Sequence, residues 1–149
     1  MIRNASGQVL AFFALLLPIV LMPVTAYAVD AVVVSTRAAG LQDATVQAAE
    51  EAAQQLNVAD LRAKGGLTLD PERARSSAVA TVSAIEPGAS VQAVLIDGNQ
   101  VSVITGEVIT LPLNFLPVAA VKLEARASAR LVAGYDSPSS RLPLPTSTF

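Results

Sequence analysis

Between Arg3 and Asp30 the chain carries no charged side chain, so the 26 residues 4–29 run uncharged. Most of them lie in "GQVLAFFALLLPIVLMPVTAYAVDAVVV" (residues 7–34). A transmembrane helix needs about 20 predominantly apolar residues to cross roughly 30 Å of hydrocarbon. Residues 9–29 supply that length, with Thr25 as the one clearly polar side chain. Pro18 and Pro23 are tolerable in a membrane helix and predict a kink or a locally unwound turn. The amino terminus and Arg3 are the only positive charges on the leading end, which predicts an inside N-terminus and an exported remainder. The competing reading is a cleaved secretory signal. "TAYA" (residues 25–28) places Ala26 and Ala28 where a signal peptidase prefers small residues, and cleavage after Ala28 would release a soluble secreted binding module.

The residues that follow favour continuity. "VVVSTRAAGLQDATVQAAEEAAQQL" (residues 32–56) keeps a helical period without a stop signal. Val34, Ala38, Leu41, Thr45, Ala48, Ala52 and Leu56 step by threes and fours into one nearly apolar stripe, while Arg37, Gln42, Asp43, Gln47, Glu50 and Glu51 fall mostly away from it. One helix over residues 8–56 would be roughly 70 Å long at 1.5 Å per residue. Its first half is apolar all round and its second half is two-sided.

Composition narrows the chemistry. The chain has no Cys and no His, which removes thiol and imidazole catalysis, disulfides and the usual zinc ligands together. A formal charge of −2 offers no electrostatic footprint for nucleic acid. Without Trp and with 4% aromatics, the core must be aliphatic. Glu50 and Glu51 are helix neighbours and point apart, so they form no convergent acid pair. "DGN" (residues 97–99) is too short for a calcium loop, which needs several spaced oxygen ligands. No enzyme, cofactor or metal is expected.

Beyond the long helix, residues 57–70 read as a loop, with Gly65-Gly66 as a flexible joint. Asp70-Pro71 then offers an N-cap followed by Pro at the first helical position, opening a short helix to Ile85 whose inner stripe is Ala74, Ala78, Val82 and Ile85. Residues 90–96 and 100–111 flank "DGN" as a hairpin. In "VKLEARASARL" (residues 121–131) Val121, Leu123, Ala125, Ala127, Ala129 and Leu131 alternate with polar residues, as an antiparallel strand with one wet face does. Residues 112–120, with Pro112 and Pro117, suit a short helix or loop. The expected fold is α+β: a long N-terminal helix, a short second helix and a small antiparallel sheet of about three strands, covered by the helix's second half. The chain then divides into a transmembrane or assembly helix (1–29), an amphipathic continuation with an exported domain (30–134) and a Pro/Ser-rich tail (135–149).

Two pieces of the N-terminal third, "RNASGQVLAFFALLLPIVL" (residues 3–21) and "AVDAVVVSTRAAGLQDATVQAAEEAA" (residues 28–53), resemble the TadE/TadG-like proteins of tight-adherence (Flp-type) pilus systems. The matching features are Gly7, Phe13-Ala14-Leu15, Pro18, Asp30, Arg37 and Leu41-Gln42-Asp43-Ala44. The resemblance implies a pilin-like shape, a place in the bacterial cytoplasmic membrane or pilus, and a role in pilus assembly. Implied partners are other pilin or pseudopilin subunits and Tad membrane assembly proteins, in a homo- or hetero-oligomer. Processing between Gly7 and Gln8 is the family's possible cleavage. The pseudopilins carry Glu five residues after that Gly, whereas this chain has Phe12, which leans the resemblance toward the uncleaved TadG-like side.

The candidate assembly residues are Phe12, Phe13, Leu16, Pro18, Asp30, Arg37 and Leu41. Asp30 ends the uncharged run at the membrane–water boundary, where a charge gains from a partner and can mark subunit register. Arg37 lies two turns further along the same face, too far to pair with Asp30, and is expected to meet another chain. Ala11, Ala14, Ala26 and Ala28 are small enough to let neighbouring helices approach.

Overall fold

The computed structural model describes residues 5–64, 68–113 and 120–131. In chain order the elements are α1 (Ala5–Ala53), α2 (Val58–Lys64), α3 (Pro71–Ile85), β1 (Ser90–Asp97), β2 (Gln100–Thr110) and β3 (Ala120–Arg130). This is the expected α+β layout, with one added helix.

α1 is a single helix of 49 residues, helical through both Pro18 and Pro23. The locally unwound turn expected at the prolines does not form. The Thr25 hydroxyl turns back onto its own helix, donating to the Leu21 and Met22 carbonyls at 3.0 and 2.9 Å. α1 stops at Ala53, three residues short of the expected Leu56. Its last amides shift to i→i+3 bonds, Gln54 N–H to Glu51 O and Gln55 N–H to Ala52 O, which tighten and end the helix. Leu56 leaves the helix and bridges Leu69.

α2 occupies residues expected to be loop. Asn57 starts it: its side-chain oxygen accepts from the amides of Ala59 and Asp60, both at 3.1 Å, as an N-cap does. Thr68 O accepts from Asn57 N–H, and Gln55 O from Asp70 N–H, so the excursion is closed at its base. Gly65-Gly66 lies outside the described residues. α3 begins as its sequence predicts. Asp70 Oδ1 accepts from the amides of Glu72 and Arg73, and Pro71 fills the first turn. Ala74, Ala78 and Val82 face inward, but Ile85, expected on the same stripe, is exposed in the last turn. There the helix ends on Glu86 and the chain turns toward β1.

The three strands form an antiparallel sheet in the order β1-β2-β3. Asp97 pairs with Gln100, leaving Gly98-Asn99 as a two-residue turn. Gly98 has φ of 59°, the left-handed region that such hairpin turns require and side chains resist. The inward face of β2 carries Val101, Val103, Thr105 and Ile109, with Ala125 of β3 beside Thr105. α1 covers β2 and β3, while α3 packs on α1 and covers β1. The helices meet the sheet mostly through alanine: Ala44, Ala48, Ala49, Ala52 and Ala53 of α1 are buried along with Ala74 and Ala78 of α3. Small side chains let the helix backbones lie close to the sheet, and the valines of β2 fill what remains.

Candidate functional site

α1 and β2 are joined by three polar anchors along one seam. The Asp30 carboxylate accepts from the Leu113 N–H at 3.2 Å. The Arg37 guanidinium lies 3.9 Å from the Glu107 carboxylate. The Thr45 hydroxyl lies 2.5 Å from that of Thr105 and also reaches the Leu41 carbonyl at 2.6 Å. On the helix these positions span 15 residues, roughly 22 Å. On the other side residues 105–113 span roughly 26 Å of extended chain. The agreement means that β2 and its continuation run antiparallel beside α1 for the whole seam.

Arg37 also pairs with Glu86 at the end of α3, at 3.4 Å. One cation thus holds three elements, α1, β2 and α3, through two carboxylates. Gly40, one turn along α1, leaves room for this pair: a Cβ there would stand 2.6 Å from Glu86 Oε1 and would push that carboxylate aside. Glu107 is 6% exposed, and its Oε2 has no hydrogen-bond partner among the described residues. A carboxylate so placed depends on the nearby guanidinium for compensation.

Asp30 is fully buried within this one chain. Its Oδ1 takes the Leu113 amide, and its Oδ2 is unpartnered among the described residues. The chain's own β2 continuation therefore covers the charge that ends the apolar run. Toward the N-terminus, every described residue from 9 to 29 is exposed except Pro23 and Ala26, which are half-buried. These two extend the covered stripe of α1 backwards, through Pro23, Ala26, Asp30, Val33 and Val34 to Ala38 and Leu41. They line an open groove of about 480 Å³ with Ile19, Met22, Val29 and Leu113; Thr25 is its one polar edge.

The residues expected to act in assembly fall into two groups. Phe12, Phe13, Leu16 and Pro18 are exposed on the bare part of α1, and the two phenylalanine rings stand edge to face with centroids 6.2 Å apart. Gly7 and Gln8 lie in the helix's first turns. Asp30, Arg37 and Leu41 instead find partners inside the chain: Leu41 is buried in the domain core, and Arg37 meets Glu86 and Glu107. Sequence reading passed over Glu86, Glu107 and Leu113. Two signals were present. Glu107 sits at an inward position of the alternation Val101, Val103, Thr105, Ile109, and the 14 residues 108–121 are without charge.

Among the described residues no three Asp, Glu, His or Cys side chains converge as a metal cage requires. The chemistry of the seam is charge compensation and hydrogen bonding, and that of the groove is apolar contact. No protein-family model, curated protein or solved structure matches the chain.

Proposed function

We propose that the protein is a membrane-anchored, pilin-like structural or assembly component of a bacterial tight-adherence pilus, acting by helix–helix packing and not by catalysis. The observation that carries this reading is the single helix α1, whose residues 9–29 are apolar and almost wholly uncovered while its second half roofs a sheet. Helix α1 is long and apolar enough to cross a membrane. Each large apolar side chain left in water forgoes about 1.5–3 kcal/mol of burial, so this surface requires lipid or other helices around it.

In the membrane, lipid covers the bare half, with the N-terminus inside and the α+β domain exported. In an assembly, neighbouring helices replace the lipid, and the phenylalanine pair at 12–13 offers bulk while Ala11 and Ala14 allow close approach. The exported domain supplies lateral contacts to other pilin or pseudopilin subunits and to Tad membrane proteins. Arg37, Glu86 and Glu107 hold the domain at a fixed angle on the rod, so that helix register and domain register move together.

The test is fractionation of cells into membrane and sheared-pilus pools, with mass determination of the native N-terminus. A polypeptide beginning at Met1 or Gln8 in either pool is the expected result. A soluble product beginning at Val29 would sink the reading in favour of a released binding module.

A further inference from the structure

We propose that Leu113 and the groove beside Pro23 and Ala26 contact bilayer lipid directly, so that the exported domain dips a second foot into the membrane. This rests on the reading of α1 as a membrane span. Length is the first ground. If lipid ended where the domain begins to cover the helix, at Pro23, the apolar run from Val9 to Met22 would offer 14 residues, roughly 21 Å against about 30 Å of hydrocarbon. The one turn of α1 before it, residues 5–8, adds only the polar Ser6 and Gln8 beside Ala5 and Gly7. Filling the hydrocarbon from Val9 takes about 20 residues, which brings residues 23–28 inside.

Those residues already carry protein on one side. Leu113 lines the same groove as Ile19, Met22, Pro23, Ala26 and Val29, and it is 51% exposed. Pro23 lies seven residues, roughly 10 Å, before Asp30 along the helix. A side chain packed at that level shares the depth of the helix residues it touches. The groove is continuous with the bare apolar surface of α1, and lipid acyl chains are the occupant that surface already requires.

The amide side of the backbone at residues 112 and 113 suits such a place. Irregular chain enters lipid only when its amides and carbonyls are satisfied. Pro112 has no N–H to satisfy, and the Leu113 N–H is taken by Asp30. This gives the buried Asp30 a role that a free interfacial charge would not have: it caps the Leu113 amide. The described residues of this bend, Pro112 and Leu113, carry apolar side chains.

The chain has no cysteine, so single reporters can be placed in the full-length protein without removing any. Leu113→Cys, Val20→Cys and Leu95→Cys variants would each carry a small fluorophore, reconstituted in phosphatidylethanolamine/phosphatidylglycerol vesicles. Val20 lies on the bare helix and Leu95 on the exposed face of β1. The Leu113 side chain makes no part of the bond to Asp30, and circular dichroism checks that each variant keeps its helix and sheet. Quenching is read from brominated acyl chains and, separately, from aqueous iodide. The expected result is lipid quenching at 113 within about twofold of that at 20, with iodide quenching several-fold weaker than at 95. Iodide quenching at 113 equal to that at 95, with 20 still lipid-quenched, overturns this inference alone. Protection of 113 from both quenchers means protein covers it, and also overturns it. Iodide access at position 20 overturns the span reading itself.

Discussion

Residues 9–29 and 30–53 of α1 belong to one helix, yet they choose side chains by opposite criteria. The first stretch places Leu, Ile, Phe, Val and Met around the whole circumference, and nearly all of them are exposed. The second places Ala44, Ala48, Ala49, Ala52 and Ala53 on its buried side and leaves Gln42, Asp43, Gln47, Glu50 and Glu51 outward. Bulk all round suits a surface that must be covered by lipid or by other helices. Alanine suits a surface that must lie flat on a sheet, because the gain comes from bringing two backbones together. The change of criterion is not a point. From Pro23 to Leu41 one stripe faces the domain while Val24, Tyr27, Val29 and Val32 still present apolar surface elsewhere. The charge pattern puts the border at Asp30; packing begins two turns earlier.

The comparison breaks most directly at its two leucines. Leu41→Ala removes the largest buried side chain of the second half and leaves a cavity between α1 and the sheet, at an expected cost of about 2–5 kcal/mol. Urea denaturation of the full chain in micelles, followed through the sheet, measures it. Leu17→Ala, on the bare half, is expected to leave that transition where it is. Equal shifts from both would mean that the halves are not distinct. Next in size is Leu17→Arg, which puts a charge near the middle of the proposed span at an apparent insertion cost of about 2.5–3.5 kcal/mol. Membrane partitioning should fall while the urea midpoint of the domain holds; full membrane recovery of this variant would argue that residue 17 does not sit in hydrocarbon.

Much of the fold could be read from the chain because periodicity and caps are local. Asp70-Pro71 announced α3, the alternation over residues 121–131 announced β3, and "DGN" announced the hairpin, since each depends on residues a few positions apart. α2 leaves only a faint trace in the sequence: Asn57 is an N-cap residue, but the helix is seven residues long and Gly65-Gly66 follows it at once. The seam was hidden for a different reason. Asp30 meets Leu113, and Arg37 meets Glu86 and Glu107, across 49 to 83 positions of sequence, and no local pattern carries that information. Asp30 therefore read as a charge facing water or a partner, when its neighbour was the chain's own backbone. The expected loop at 112–120 is described only as far as Leu113, and the tail at 135–149 lies outside the described residues.

A smaller effect tests whether the seam is specific as well as apolar. Thr45 and Thr105 are both fully buried and share one hydrogen bond between α1 and β2. Thr45→Val keeps the shape and strands the Thr105 hydroxyl, at an expected cost of about 1–3 kcal/mol. The double replacement by Val removes both polar groups and should recover most of that loss, giving a coupling of opposite sign to the single changes. Purely additive losses would mean that the two hydroxyls do not satisfy each other. The same variants should leave membrane partitioning unchanged, since position 45 lies 15 residues beyond Asp30, which closes the charge-free run.

The smallest expected change lies in a helix that has only the second environment. α3 begins with a side-chain cap from Asp70, as a helix starting in water needs, whereas the first turn of α1 contains no acidic residue. Asp70→Ala strips two amides of their acceptor and should cost about 1 kcal/mol, while Asp70→Asn, an equally good cap, should cost little. The accompanying Arg73 pair at 3.5 Å is exposed and adds little to the difference. Amide hydrogen exchange resolves where the loss falls. Protection should drop first in the opening turn of α3, then in the part of α1 and the sheet that it covers, and on the proposed span reading residues 9–22 should keep their rates, guarded by lipid and not by the domain. If exchange at 9–22 rose in step with α3, the rod would be one cooperative unit from end to end, and the distinction between its halves would be one of composition without energetic consequence.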